Sequence, residues 1–183
     1  ILEIAKREDI PVLTGASKPL TTKYLGKGEV VHGKDGQGNS NLPKPQTKLS
    51  KQSAIEFLKN KINEYPNEVT LVPIGPLTNI AQLLIENPDI DKKISEIVLM
   101  GGNALSQGNA SPAAEANIRN DPEAANIVFN SNALITMVGL DVTNEVFMND
   151  KTIKQITSSG SKETDHLKLI LPHYVDFLSK FYN

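Results

Sequence analysis

The chain has 183 residues, 39% of them hydrophobic, and a formal net charge of −2, so it holds apolar material for an ordinary core and no electrostatic footprint for nucleic acid or an anionic membrane surface. It contains no cysteine, which excludes disulfides, a thiol nucleophile and zinc–thiolate sites and is compatible with a reducing cytoplasm, the expected location. No apolar run approaches the roughly 18 residues that span a bilayer, nothing resembles a signal peptide, and both ends fall within helical patterns, so 1–183 is expected to be a single α/β domain forming an incomplete portion of a longer polypeptide.

Ile1, Leu2, Ile4 and Ala5 lie at helical spacing, and Asp9 with Pro11 ends that helix before a short strand, Val12-Leu13-Thr14. Residues 21–46 are rich in Gly, Pro, Asn and Lys without a sustained period, which predicts a long loop. In it His32 stands between Val30-Val31 and a run of glycines, either as a surface histidine or where backbone approaches a ligand closely. Ser53 to Tyr65 reads as a helix with Ile55, Leu58 and Ile62 on one face. Val69 to Pro73 reads as a β-branched, central strand. Its carboxyl end carries the Gly75-Pro76 turn, which aims a main-chain carbonyl outward, where ligands of open parallel sheets bind. Thr78 and Asn79 are assigned as caps of the helix that begins at Ile80 and stops at Asn87-Pro88.

Ile97 to Met100 predicts a strand buried on both faces, ending at Gly101-Gly102. A loop of about 20 residues follows, a length that in a compact domain is more often functional than idle. It holds Asn103, Gln107, Asn109, Ser111, Glu115, Asn117, Arg119, Asn120 and Asp121. These amides, hydroxyls and carboxylates suit hydrogen bonding to a polyhydroxylated ligand; with neither Cys nor His they do not make a nucleophile and its base. Asp121-Pro122-Glu123 starts the next helix. Leu134 to Val138 reads as another buried strand, followed by Asp141, which serves either as a site carboxylate or as a turn cap. Residues 149–158 and 166–182 are helical, with Pro172 as a kink and His166 and His173 as surface or helix-face residues. Strand and helix alternate, so the fold class is α/β, a mostly parallel sheet with crossover helices. No Gly-x-Gly-x-x-Gly opens a helix and no P-loop lysine follows Gly102, so dinucleotide and nucleoside-triphosphate binding are not supported.

Five segments, Leu71-Val-Pro-Ile-Gly-Pro-Leu-Thr-Asn-Ile-Ala81, Val98-Leu-Met-Gly-Gly102, Gly108-Asn-Ala-Ser-Pro-Ala-Ala-Glu-Ala-Asn117, Asp121-Pro-Glu-Ala-Ala125 and Val138-Gly-Leu-Asp-Val-Thr143, occur in an order and spacing that carry a resemblance. The chain resembles the inosine-uridine-preferring nucleoside hydrolases, calcium-dependent enzymes that cleave the N-glycosidic bond of ribonucleosides to ribose and free base. The resemblance implies a nucleoside-hydrolase-like fold with a Rossmann-like core. It assigns the main-chain carbonyl of Ile74 to calcium, Asn109 and Glu115 to the ribose 5′-hydroxyl, and Asn117 to the 2′- and 3′-hydroxyls. Met100 would pack under the sugar and His32 would approach the nucleobase. Acceptors on Asn117 and Glu115 would favour the positive charge that develops on the ring as the base leaves.

The family's Asp-x-Asp-x-Gly-x-Asp-Asp motif and its later His-Asp pair are not in this sequence, and Asn144 stands where many members have His. No catalytic residue is therefore expected within the chain itself. Calcium is expected in the full-length enzyme and absent or weakly held here, since one carbonyl does not bind it usefully. The resemblance further implies a small-molecule nucleoside as partner, a role in nucleobase salvage, no nucleic acid or membrane, and a homodimer or homotetramer. The alternative is a metal-free ribose- or nucleoside-binding α/β protein without catalysis.

Overall fold

Three parallel strands carry the fold: β1 (Thr70–Leu71), β2 (Glu96–Met100) and β3 (Ile135–Val138), in the order β1-β2-β3. The computed structural model describes residues 1–21, 23 and 28–181. Residues 22 and 24–27 of the predicted 21–46 loop, and Tyr182 of the last predicted helix, lie outside these. The chain divides into two compact units, one of Leu13–Tyr24 and Ser50–Phe147, the other of Ile1–Val12, Leu25–Leu49 and Met148–Asn183.

The first of these contains the sheet. Parallel neighbours need crossovers, and helices α3 (Thr78–Glu86) and α5 (Pro122–Phe129) supply them. Helix α2 (Ala54–Glu64) starts where the Ser53 hydroxyl accepts the Glu56 N–H. Asp121 caps α5 with Pro122 at its first position, as its sequence predicts. Ile97 and Leu99 of β2 are fully buried against Ile62 of α2, Leu83 and Ala81 of α3, and Ala124 and Val128 of α5. Each such Leu, Ile or Val contributes about 1.5–3 kcal/mol by leaving water.

Several expectations change. β1 is not central: it pairs only with β2 among the described residues, and β2 is the strand flanked on both sides. Inward and half-buried residues alternate along β2, so it is fully covered on one face only. β3 is not a buried strand; Thr136 and Met137 are exposed, because β3 is the other edge of the described sheet. Val12 to Thr14 contributes a single parallel bridge, Thr14 to Ser53. Thr78 and Asn79 do not cap α3. The Thr78 hydroxyl donates to the Asp121 carboxylate at 2.5 Å, and the Asn79 side-chain oxygen accepts the Ala16 N–H at 2.7 Å.

In the other unit, Ile1 to Arg7 forms hydrogen-bonded turns rather than a helix, with Ala5 N–H on the Ile1 carbonyl and Lys6 at φ 53. The Glu3 carboxylate accepts from the main chain of Gln46 and Thr47. The predicted loop contains a one-turn helix, α1 (Glu29–His32), followed by a segment in which Asp35 accepts from Gln37, Asn39 and Asn41 N–H groups. Helices α7 (Asp150–Thr157) and α8 (Lys162–Phe181) complete it, with Pro172 inside α8. His166 is not a surface residue: it is 7% exposed, and neither ring nitrogen has a hydrogen-bond partner among the described residues. No helix is long and apolar enough to cross a membrane among the described residues.

Candidate functional site

The carboxyl end of β2 is where polar groups converge. Met100 N–H bonds to the Pro73 carbonyl, so Ile74, one residue further on, leaves the sheet beside Met100. Gly101 donates to Val138 and Leu140 donates to the Gly102 carbonyl, which draws the start of the long loop against the end of β3. Gly102 has φ +80, a conformation that glycine adopts without strain.

Glu115 closes the loop on itself. It is 2% exposed, and its two oxygens accept three main-chain N–H groups: Gly102 at 3.0 Å, Asn117 at 2.9 Å and Ile118 at 3.1 Å. It thus caps the short helix α4 (Ala116–Asn120) and ties that helix to the residue just after β2. Asn117 is thereby placed over the strand end, where its Nδ2 donates to the Met100 carbonyl at 3.1 Å and approaches Met100 Sδ at 3.3 Å. With the amide nitrogen committed, the Asn117 Oδ1 is the end left to accept from a ligand. Asn109 has the opposite polarity. Its Oδ1 accepts the Ala116 N–H at 2.9 Å, which leaves Nδ2 to donate.

Between these residues the loop is pinched, with Gly108 N–H on Pro112 O, Ala110 N–H on Ala114 O, and a bridge between Ser111 and Ala114. A Cβ on Gly108 would lie 2.3 Å from both Ala114 N and Ala114 O. Gly108→Ala is therefore expected to open the pinch at a cost of about 1–3 kcal/mol. Amide exchange at Ala110 and Ala114 should then rise well above that of the rest of the unit; unchanged protection would show that the backbone tolerates the methyl.

Met100, Asn109, Glu115 and Asn117 are thus brought together, and Ile74 joins them at the same sheet end. Among the described residues no group of three or more His, Asp or Glu side chains could hold a metal ion. With no such group beside the carbonyl of the exposed Ile74, the described residues do not by themselves fit a calcium site. His32 belongs to the other unit, as the last residue of α1. There it lines a cavity of about 190 Å³ with Gln37, Ile170, His173 and Tyr174. His173 is thus a half-buried residue on the face of α8 that walls this cavity, and its Nε2 has no partner among the described residues.

Asp141, on α6 (Leu140–Thr143), is the group the sequence left undecided. It accepts three consecutive loop N–H groups, Ala104, Leu105 and Ser106, each at 2.7 Å. These bonds lower its carboxyl to about 2 from an ordinary 3.8. They stand at full strength above pH 3.8 and are lost only as pH falls through about 2.

A parallel α/β sheet whose middle strand ends in a self-tethered loop of amides and a carboxylate presents polar groups at its strand ends, the side on which open α/β sheets bind ligands. Residues 1–183 match the family described as inosine-uridine preferring nucleoside hydrolase, and the chain belongs to that family. It is 44% identical over 170 residues to uridine nucleosidase 1 of Arabidopsis thaliana, an alignment covering 93% of the chain and 50% of that protein. Among solved structures, a plant nucleoside hydrolase, the PpNRh1 enzyme, is 38% identical at a TM-score of 0.94, covering 99% of the chain and 57% of its own. A purine-preferring ribonucleoside hydrolase from Gardnerella vaginalis is 32% identical at 0.93, covering 99% and 58%. The chain therefore spans about half the length of the curated relatives it matches.

Proposed function

We propose that the complete polypeptide carrying this chain hydrolyses the N-glycosidic bond of ribonucleosides: water oxygen bonds to C1′, the C1′–N bond breaks, and the base leaves with a proton. The observation that carries this reading is the Glu115 tether, which leaves Asn117 Oδ1 as an open acceptor above the end of β2. In this reading Asn117 takes the 2′- and 3′-hydroxyls, Asn109 and Glu115 the 5′-hydroxyl, and Met100 packs under the ring. Glu115 offers one remaining lone pair after its three main-chain bonds, a use compatible with both roles. As the bond breaks, positive charge builds on the ribose, and acceptors fixed before the reaction favour it without reorganising.

Groups that activate the water and protonate the leaving base are not assigned to any residue of this chain. Calcium enters only as cofactor of the complete polypeptide, beside carboxylates this chain does not carry. Homo-oligomerisation belongs to the same reading and is measured by light scattering. Because the relatives' names divide between uridine and purine nucleosides, both uridine and inosine are the substrates to assay.

Ribose release from either nucleoside by the complete polypeptide, abolished by chelation of calcium, is the expected result. Asn117→Ala should lower kcat by on the order of 10²–10³. Calorimetric binding of ribose or nucleoside with no turnover would overturn the hydrolase reading in favour of a binding protein.

A further inference from the structure

The loop after β2 has two ends of different character. Its distal end is held by Glu115 and by the Gly108 pinch. Its proximal end, Ala104 to Ser106, is held otherwise: Ala104 and Leu105 are exposed, Leu105 at 97%, so no apolar burial fixes this stretch. The Asp141 carboxylate takes all three of its consecutive N–H groups, Oδ2 that of Ala104 and Oδ1 those of Leu105 and Ser106. Asn103 Nδ2 then donates to the Ser106 carbonyl and closes the turn locally. Asp141 is itself rigidly based, since its neighbour Leu140 is 5% exposed and bonds to the Gly102 carbonyl. From Ser106 the chain reaches Asn109 in three residues.

We propose that Asp141 is a positioning residue for substrate: by anchoring residues 104–106 it fixes where Asn109 presents its Nδ2 to the ribose 5′-hydroxyl. The inference rests on the ribose assignment of Asn109 given above. An ionised carboxylate suits the task, because only an acceptor with two anionic oxygens satisfies three converging N–H donors. Asparagine at this position would turn an NH₂ group against at least one of them.

The test compares uridine with 5′-deoxyuridine in the complete polypeptide carrying Asp141→Asn, Asp141→Glu or Asn109→Ala. If Asp141 acts through Asn109, Asp141→Asn lowers kcat/KM on uridine by on the order of tenfold to a hundredfold, while its effect on 5′-deoxyuridine stays within about threefold. Asp141→Glu, which keeps both anionic oxygens, recovers part of the loss on uridine. Equal losses on the two substrates, or none on either, overturn the proposal, since a merely structural role does not distinguish them. Where Asp141→Asn does not fold, the same comparison is made with Asp141→Glu. Asn109→Ala separates the two levels of the argument. If it fails to discriminate the substrates, the ribose assignment falls and this inference with it; if it discriminates and the Asp141 variants do not, only this inference falls.

Discussion

Glu115→Gln is expected to destabilise the chain by about 2–4 kcal/mol, because it turns a buried acceptor of three N–H bonds into one that opposes its own partners. The side chain is 2% exposed and its oxygens face the N–H groups of Gly102, Asn117 and Ile118. An amide in the same volume keeps one oxygen and directs an NH₂ group at the remaining donor or donors. Hydrogen bonds to a charged partner are worth about 1.5–3 kcal/mol each, and a buried N–H left unmet costs a comparable amount. The three are not additive, since all share one carboxylate. Asp at this position does not rescue it: one methylene shorter, it caps α4 or reaches back to Gly102, not both. Urea denaturation of the parent and the Gln variant gives the difference directly. The functional consequence follows from the same bonds. Asn117 is aimed by the tether that Glu115 makes, so kcat/KM for ribonucleosides should fall by at least 10²-fold even at temperatures where the variant is folded. A variant of parental stability would show that the three contacts carry little energy.

What the sequence disclosed here is what is decided over short distances. Ser53 and the Asp121-Pro122 pair announce helix starts because an N-cap is a contact between residues two or three apart. The strand–turn–helix order around β1, β2 and β3 likewise follows from apolar runs and from Gly and Pro. The polar character of the 101–120 loop is legible for the same reason, as composition. What stayed hidden is long-range. Thr78 looks like a cap and instead donates to a carboxylate 43 residues away. Asp141 gave even signals because its three partners lie 35 to 37 residues back and are main-chain N–H groups, which no side-chain pattern marks. Glu115 as an N-cap departs from the usual Ser, Thr, Asp and Asn, so its capping role left no local trace. His166 has a place on the helical pattern that reads as surface or helix face, yet it is 7% exposed. The edge positions of β1 and β3 depend on which segments pair beside them, a property of the assembled sheet that β-branched composition does not encode.

Asp121→Ala is expected to cost about 3–5 kcal/mol, since the Leu20 and Thr78 donors each lose their acceptor at about 1–3 kcal/mol and α5 loses its cap. Asp121 is 0% exposed and joins three segments: its carboxylate accepts the Leu20 N–H at 3.0 Å, the Thr78 hydroxyl at 2.5 Å and the Ala124 N–H at 3.1 Å. One side chain therefore caps α5, fixes the first residue of α3 and holds a segment that is 101 residues distant in sequence. The cap alone accounts for about 0.5–2 kcal/mol; the rest comes from Leu20 and Thr78 losing their acceptor inside the unit. For a chain of this length, such a loss lowers Tm by roughly 2–4 °C per kcal/mol. A double-mutant cycle apportions it. Thr78→Val removes the hydroxyl donor with little change of shape and should cost about 1–2 kcal/mol. In the Asp121→Ala background the same substitution should cost much less, with a coupling of about 0.5–3 kcal/mol between the two positions. Strict additivity of the two single substitutions would mean that the 2.5 Å contact contributes nothing to holding α3 against α5. Asp121 would then act only through its cap of α5 and its bond to the Leu20 N–H.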